Sequence, residues 1–268
     1  MLRISRMFRI PLLALALAAL ALPAATASRA VTVDEVVAKH FEAQGGAEKL
    51  KKVKTWRMTG KMTMGAGQEV VLTMERKRPG KSRTEFAVNG MTGVRVADGQ
   101  NSWQFMPFMG QPAPERLTGE DLAEAIEQAD FDGPLMDWKA KGSTLELVGT
   151  EPVEGAPAHK LKLTRKGGKT EIYYLDAESF LCVKREAKRV VRGTEIDGEA
   201  WLSDYKEVAG IMMPFTMTQG MKGSERRQSM TFDKIEVDVP LDDARFVMPV
   251  AAAGAPKDTA KAAPTKKK

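Results

Sequence analysis

The sequence predicts a mainly β protein of the α+β class, built on one large, strongly curved antiparallel sheet. Three observations predict this: apolar residues alternate with a period of two through most of the chain, Gly-containing turns separate the alternating segments, and a helical segment with an apolar stripe interrupts them near the middle. No Pro/Ser/Gly-rich linker divides the strands into two groups. We therefore expect one sheet of eleven or twelve strands rather than two domains.

The N-terminus is typical of a secretory signal peptide. Residues 1–10 contain three arginines and no acid, an apolar run over 11–22 follows, and residues 25–27 give Ala-Thr-Ala, a small-x-small cleavage pattern. The apolar run is too short for a membrane span, which needs about 20 residues. We expect residues 1–27 to be removed on export to the periplasm, leaving no transmembrane segment. An uncleaved N-terminal anchor is the alternative.

The C-terminus, residues 251–268, is rich in Ala, Pro and Lys and has no apolar periodicity, which predicts a disordered tail. Such a tail either solubilises the protein or contacts anionic lipid or phosphate. The formal net charge of the chain is +6, of which the signal peptide holds +3 and the tail +4. The single domain expected over 28–250 therefore has a charge of −1. This balance argues against nucleic-acid binding and favours an apolar cargo.

The sequence of the first part of this domain predicts a helix followed by strands. Thr32 and Glu35 form a capping box that begins the helix, and Gly45-Gly46 ends it. The period of the apolar residues then changes to two. Strands are expected from Lys54 to Met64, from Val70 to Met74, and over about 82–89, 92–98 and 101–106, with hairpin-turn dipeptides at Asn89-Gly90 and Asp98-Gly99.

The second part begins with a helix at Thr118, whose apolar stripe includes Ala125 and Ala129. Residues 131–138 are expected to form a short apolar turn or helix. Seven further strands are predicted over about 144–150, 157–165, 170–176, 180–191, 194–206, 211–220 and 225–237.

Residues that could perform catalysis are few. His40 and His159 belong to no known catalytic motif, and Cys182 has no His near it in the sequence, so we expect all three to be structural. Asp130-Phe131-Asp132-Gly133 resembles the start of a calcium loop but lacks the third acid and the closing Glu, which favours a turn. We expect no enzymatic activity, no metal and no cofactor.

Methionine is abundant, with 16 residues in the chain. Its unbranched, polarisable side chain suits a surface that adapts to apolar ligands of varied shape, but it also fills ordinary cores. The composition therefore leaves two interpretations open: a cavity for acyl chains, or a packed core.

Six segments, in this order and spacing, resemble the outer membrane lipoprotein-sorting proteins of the LolA/LolB-like superfamily. They are EVVAKHFEAQGGAEKLKKVKTWRMTG (35–60), ERKRPGKSRTEF (75–86), GMTGVRVADGQNSWQFMP (90–107), EQADFDGPLMDW (127–138), YYLDAESFLCVKRE (173–186) and DYKEVAGIMMPF (204–215). The resemblance extends over about 33–249 and is to a broad, mostly uncharacterised branch rather than to the chaperone LolA itself.

This resemblance implies an incomplete, strongly curved antiparallel barrel of about eleven strands, with helices covering its open side and an apolar cavity between. It implies a periplasmic carrier that shields lipoprotein acyl chains between the membranes. Members that resemble LolB are lipoproteins, whereas this chain has no Cys after its signal peptide. In the chaperone, a strand Arg bonds to the helical cover; Arg57, Arg76, Arg83 and Arg95 are the candidates here.

The alternating apolar face, the helical insert and the resemblance together predict a carrier of acylated lipoproteins or lipids that exchanges cargo with inner- and outer-membrane transfer proteins. The predicted cavity wall is Trp56, Met58, Met62, Met64, Val70, Leu72, Met74, Phe86 and Trp103. The predicted lid is Leu122, Ile126, Phe131, Leu135, Met136 and Trp138. The alternative is a non-enzymatic envelope scaffold or interaction protein with a filled core; an enzyme acting on envelope substrates is the least favoured hypothesis.

Overall fold

A capping box begins the first helix, as the sequence predicts. In this computed structural model, which describes residues 31–64, 67–191 and 194–249, the Thr32 hydroxyl accepts from the Glu35 amide at 3.3 Å, and Glu35 Oε2 accepts from the Thr32 amide at 2.8 Å. Helix α1 spans Val33–Ala43 and α2 spans Ala47–Lys52. The predicted signal peptide and lysine tail lie outside the described residues.

Glycine is required at position 45, between the two helices, by the backbone conformation there and by the atoms that surround it. The φ of Gly45 is +106°, and a Cβ there would lie 2.1 Å from the main-chain oxygen of Gly210. The Met212 amide donates to the main-chain oxygen of Gln44 at 3.1 Å. This close approach of two backbones holds the end of α1 against the turn at Gly210.

The first group of strands follows α2 as a meander. Its members are β1 Thr55–Met64, β2 Gln68–Lys77, β3 Lys81–Val88, β4 Met91–Ala97, β5 Ser102–Phe105 and β6 Glu115–Arg116. The turn predicted at Asn89-Gly90 is confirmed, since both residues have positive φ, as a type I′ hairpin requires. The two-residue β6 is too short to produce an alternating pattern, so the sequence did not predict it.

Helix α3 spans Gly119–Gln128, and turns occupy most of residues 129–142. The second meander consists of β7 Thr144–Val153, β8 Ala156–Thr164, β9 Thr170–Asp176, β10 Cys182–Val191, β11 Thr194–Val208, β12 Ile211–Met221 and β13 Arg227–Val237. All seven strands predicted in this part are present.

The strands form one antiparallel sheet of thirteen within the described residues. Their order is β6-β5-β4-β3-β2-β1-β13-β12-β11-β10-β9-β8-β7. The sheet is not closed, because β6 and β7 are its two edges. The chain travels from one edge to the other through α3 and the turns after it, and α3 contacts both β5 and β10. The mainly β fold class, with an open curved sheet and helices, is confirmed.

Two hydrophobic clusters lie on opposite faces of the sheet. The face that α3 covers is here called the inner face, and its methionine cluster consists of Met58, Met62, Val70, Leu72, Phe215, Met230, Phe232 and Ile235. On the outer face, the tryptophan cluster consists of Val94, Val96, Trp103, Leu241 and Phe246. The segment after β13, with a 3-10 helix at Asp243–Phe246, contributes the last two residues and covers this outer face.

Candidate functional site

The methionine cluster contains most of the predicted cavity wall. Met58 lies opposite Met74 on β2 and Ile235 on β13, and Met62 lies opposite Val70, so their side chains share the inner face. Met58, Met62, Val70 and Leu72 are each at most 9% exposed. Trp56, Met74 and Phe86 pack against the cluster. Met64 ends β1, and its side chain lies outside the described residues.

Trp103 does not join this group, which corrects the predicted wall. It lies opposite Val96 on β4, on the outer face, and packs in the tryptophan cluster. Its indole Nε1 donates to the main-chain oxygen of Phe246 at 3.4 Å. The physical reason is that Leu241 and Phe246, after β13, cover the outer face here, so the apolar residues of β4 and β5 face outward and the polar Arg95 and Gln104 face inward.

The predicted lid residues belong to a continuous segment, residues 119–138, here called the lid. Leu135 and Met136 are buried, and the other four are half-buried: Leu122, Ile126, Phe131 and Trp138. The Phe131 ring lies 6.4 Å from the Trp56 ring, centroid to centroid, which places the end of the lid against β1. The lid therefore contacts the predicted wall directly.

Arg76 is the strand arginine that bonds to the lid. Its Nη1 donates to the main-chain oxygen of Asp130 at 3.1 Å, and its guanidinium lies 5.4 Å from the Trp56 ring centroid. Burial lowers the pKa of Arg76 to about 10. The other three candidates make different contacts: Arg57 binds Glu75 and Arg83 binds Glu85 on the outer face, while Arg95 donates to Gln104.

Arg78 adds a second attachment at the same end of the lid. Its guanidinium donates to both carboxylate oxygens of Asp132 and to the main-chain oxygens of Val53 and Leu50, at 2.6 and 3.1 Å. It also lies 4.3 Å from the Phe131 ring centroid. The hydrogen bonds from Arg78 lower the pKa of the Asp132 carboxyl, against the effect of its burial. This one side chain joins β2, the end of α2 and the lid.

The other side of α3 is attached by Glu127. Its carboxylate pairs with Arg165 at 2.8 Å and with Lys169 at 2.6 Å. Arg165 also binds the buried Glu171, which accepts a hydrogen bond from Tyr173 at 2.7 Å. Burial opposes ionisation of Glu171, but the neighbouring cations and the Tyr173 hydroxyl keep its pKa low. Polar contacts therefore hold the lid at two separated places.

A small cavity of about 90 Å³ lies between the sheet and α3. Sheet residues Met74, Arg76, Ser82, Thr84 and Arg95 line it, together with Ala125 and Gln128 of α3. A larger, open pocket of about 450 Å³ lies elsewhere, between the β2–β3 and β4–β5 turns and the segment after β13. None of the predicted wall or lid residues lines that open pocket.

The residues considered for catalysis have structural environments. The buried His40 has its Nδ1 2.8 Å from the main-chain oxygen of Phe180, and burial lowers its pKa. Burial raises the pKa of the Cys182 thiol to about 11, which leaves it protonated at neutral pH. Asp130 pairs with Lys141 and Asp132 with Arg78, in the turn that the sequence predicts.

Within the described part of the chain, no helix is both long and apolar enough to cross a membrane.

Comparisons with known proteins identify the fold. No family model and no curated protein matches the sequence. A LolA superfamily protein from Nitrosomonas europaea is similar in structure, with a TM-score of 0.53 at 16% identity, over 81% of this chain and 98% of that one. An outer membrane lipoprotein-sorting protein domain from Vibrio parahaemolyticus gives 0.53 at 13% identity, over 79% and 94% of the two chains.

A DUF1329 family protein from Desulfovibrio piger gives a TM-score of 0.55 at 16% identity, over 79% of this chain and 97% of that one. At these identities the likeness shows the fold alone. The open, curved antiparallel sheet with helices is the fold of LolA superfamily proteins.

Proposed function

We propose that this protein is a periplasmic carrier that shields the acyl chains of lipoproteins or lipids and transfers them toward the outer membrane. The observation that supports this most is that the methionine cluster lies on the same face of the open sheet as Trp56 and Arg76, two residues that contact the lid. The similar fold of the lipoprotein-sorting domain from Vibrio parahaemolyticus is consistent with this cargo.

The methionine cluster suits an exchangeable apolar ligand. Met58, Met62 and Met230 can change rotamers without the steric cost that branched side chains would meet. Each methylene removed from water contributes about 0.8 kcal/mol, so one long acyl chain gains on the order of 10 kcal/mol before the cost of ordering it. The apolar interior can therefore provide the affinity without covalent chemistry.

Cargo entry requires the lid to move. The cavity under α3 has about 90 Å³, roughly the volume of three water molecules, and an acyl chain does not fit in it. The contacts of Arg76 with Asp130 and of Arg165 with Glu127 are polar, so water can replace them when the lid opens. In this proposal the described conformation, with the lid attached at both places, is the closed one.

The proposed partners follow from this role: acylated lipoproteins or lipids as cargo, and transfer proteins at the inner and outer membranes. The direct test is to purify the mature protein, extract it for lipid mass spectrometry, and measure displacement of a fluorescent fatty acid. We expect copurified lipid and a displaceable probe. A protein with neither would contradict the proposal. Depletion of the protein followed by localisation of lipoproteins then tests whether lipoproteins are the cargo.

A second candidate function is a non-enzymatic envelope scaffold with a filled core. The close burial of Met58, Met62, Val70 and Leu72 favours it, because these side chains already contact protein on all sides. The two candidates differ in lid movement. If the protein is a scaffold, amide exchange in residues 119–138 should be as slow as in the central strands, and fatty acid should not change it. If the protein is a carrier, exchange in these residues should be faster than in the central strands, and fatty acid should change its rate.

A further inference from the structure

Two arginines of the inner face border the small cavity under α3 without a carboxylate partner. Arg76 donates to the main-chain oxygen of Asp130, and Arg95 donates to the side-chain oxygen of Gln104 at 3.0 Å. Neither guanidinium forms an ion pair with any residue that the structure describes. Two positively charged side chains therefore border this cavity, and each donates its hydrogen bond to a neutral acceptor.

The outer face of the same strands is arranged differently. There Glu75 binds Arg57 at 2.8 Å and Arg245 at 2.7 Å, and Glu85 binds Arg83 at 2.6 Å. Glu75 also borders the cavity, but its two carboxylate oxygens accept from the outer arginines. The outer arginines are thus held in ion pairs, whereas Arg76 and Arg95 form none among the described residues; the carboxylate of Asp130, which acts on Arg76 electrostatically, is paired with Lys141.

Hydroxyl groups complete the lining of the cavity. Ser82 lies opposite Arg76 on β2, and Thr84 lies opposite Arg95 on β4, so both hydroxyls face the inner side between the two arginines. No described residue hydrogen-bonds to either hydroxyl. The cavity is small, about 90 Å³, and guanidinium groups bind carboxylate and phosphate oxygens in pairs.

Met74 connects this polar cavity to the apolar interior. It lines the cavity, lies opposite Thr84 on β3, and packs against the methionine cluster. We propose that the cavity binds the oxyanion head of an amphiphile, a carboxylate or a phosphate, between Arg76 and Arg95, and that its acyl tail extends past Met74 over the methionine cluster. This inference rests on the proposed carrier function and narrows its cargo to anionic amphiphiles.

The test compares ligands that differ only in the head group. Binding of laurate, dodecyl phosphate, dodecanol and inorganic phosphate to the mature protein is measured by displacement of a neutral fluorescent lipid and by calorimetry. We expect laurate or dodecyl phosphate to bind about tenfold more tightly than dodecanol, the difference expected for charge-assisted hydrogen bonds. Which of the two binds more tightly identifies the head group.

Two variants test whether the cavity is the source of the preference for anionic head groups. Arg95→Gln should remove most of the preference for anionic heads, measured as the ratio of the laurate or dodecyl phosphate affinity to the dodecanol affinity of the same variant. Arg116→Gln is the matched control, because it removes one positive charge from an exposed arginine of β6 that does not line the cavity, and it should retain the preference. Circular dichroism and thermal unfolding of both variants verify that they fold.

Three results would overturn the inference. Equal affinities for dodecanol, laurate and dodecyl phosphate would contradict the head-group site but leave the carrier function standing. Inorganic phosphate that binds as tightly as dodecyl phosphate would mean a site for a free anion. If none of the three amphiphiles binds, the proposed carrier function fails as well.

Discussion

Arg76 Nη1 donates a hydrogen bond of 3.1 Å to the main-chain oxygen of Asp130, and this bond joins β2 to the lid where α3 ends. The guanidinium also lies over the ring of Trp56, which contacts Phe131 of the lid. The Arg76 guanidinium, at the edge of the methionine cluster, thus links the sheet to the lid. This contact can be broken without moving the sheet.

Replacing Arg76 should loosen the lid. In Arg76→Gln, amide exchange in residues 119–138 should become about tenfold faster or more, because a hydrogen bond from a charged donor contributes about 1.5–3 kcal/mol. Native-state hydrogen exchange with mass spectrometry measures the effect. Arg226→Gln, at an exposed position in the β12–β13 turn, is the control and should exchange as the wild type does. Equal exchange in all three proteins would show that Arg76 does not hold the lid.

The role of Arg76 could be predicted in part from the sequence. Val70, Leu72 and Met74 alternate along β2, and Arg76 continues the same alternation, whereas Glu75 faces the other side. The period of two therefore places Arg76 on the methionine face. What the sequence could not provide is the position of Asp130, since that depends on how the turns after α3 fold over the sheet.

Acid should weaken the second attachment of the lid. Arg78 holds the pKa of Asp132 below its usual 3.8, so the contact contributes its full stability above that pH and loses it as the pH falls through the lower folded value. Asp132→Asn should cost about 1–3 kcal/mol of unfolding free energy near pH 6 and progressively less toward about pH 3. Urea unfolding at several pH values measures the difference.

Asp137→Asn is the control for this experiment. Both side chains of its ion pair with Lys51 are exposed to solvent, which screens the interaction, so the substitution should change the free energy of unfolding little at any pH. If Asp132→Asn changes the unfolding free energy equally at all pH values, the Asp132 carboxylate is not the titrating group.

Substitutions at two adjacent residues of β2 test whether the methionine cluster is a packed interior. Leu72 is 1% exposed in the cluster, whereas Val71, facing outward, is 55% exposed. Leu72→Ala should lower the free energy of unfolding by about 2–5 kcal/mol, and Val71→Ala by no more than about 0.5 kcal/mol. Denaturant unfolding of the two variants measures both values. Similar small losses would mean that the inner face is not packed in the closed state.

His40 should make the docking of α1 sensitive to pH. Burial lowers the pKa of His40, partly opposed by its hydrogen bond to Phe180, so the folded protein excludes a proton that the unfolded chain accepts below about pH 6.5. Its contribution to stability is complete above that pH and falls as the pH drops toward the folded pKa. Thermal unfolding at about pH 7.5 and about pH 5.5 should show a smaller loss in His40→Gln than in the wild type.

His159→Gln is the comparison variant: the His159 ring stacks on Phe180 at 5.4 Å and its burial also lowers its pKa, but it is less buried than His40, so His159→Gln should reduce the loss by less than His40→Gln does. Identical losses in the wild type and in His40→Gln would exclude His40 as the source of the pH dependence.

The strands other than the two-residue β6 were predictable because alternation persists through long segments such as β11 and β12. The placement of Trp103 was not, since the alternation along β4 and β5 puts Val96 and Trp103 on one face without saying which face is the inner one. The cause is the segment after β13, whose Leu241 and Phe246 cover the outer face. That segment is short and irregular, so no periodicity predicts where it docks.

The most direct test of the central claim, that acyl chains bind on the inner face beneath the lid, is cross-linking with a fatty acid that bears a photoreactive diazirine in its tail. Peptide mapping of the adducts by mass spectrometry should find them at Met58, Met62 or Met74, and laurate should compete for them. Asp132→Asn, which weakens the attachment of the lid and leaves Arg76 in place, should increase the rate at which they form. Adducts confined to the tryptophan cluster or to Val71 on the outer face, or no competed adduct at all, would contradict the account.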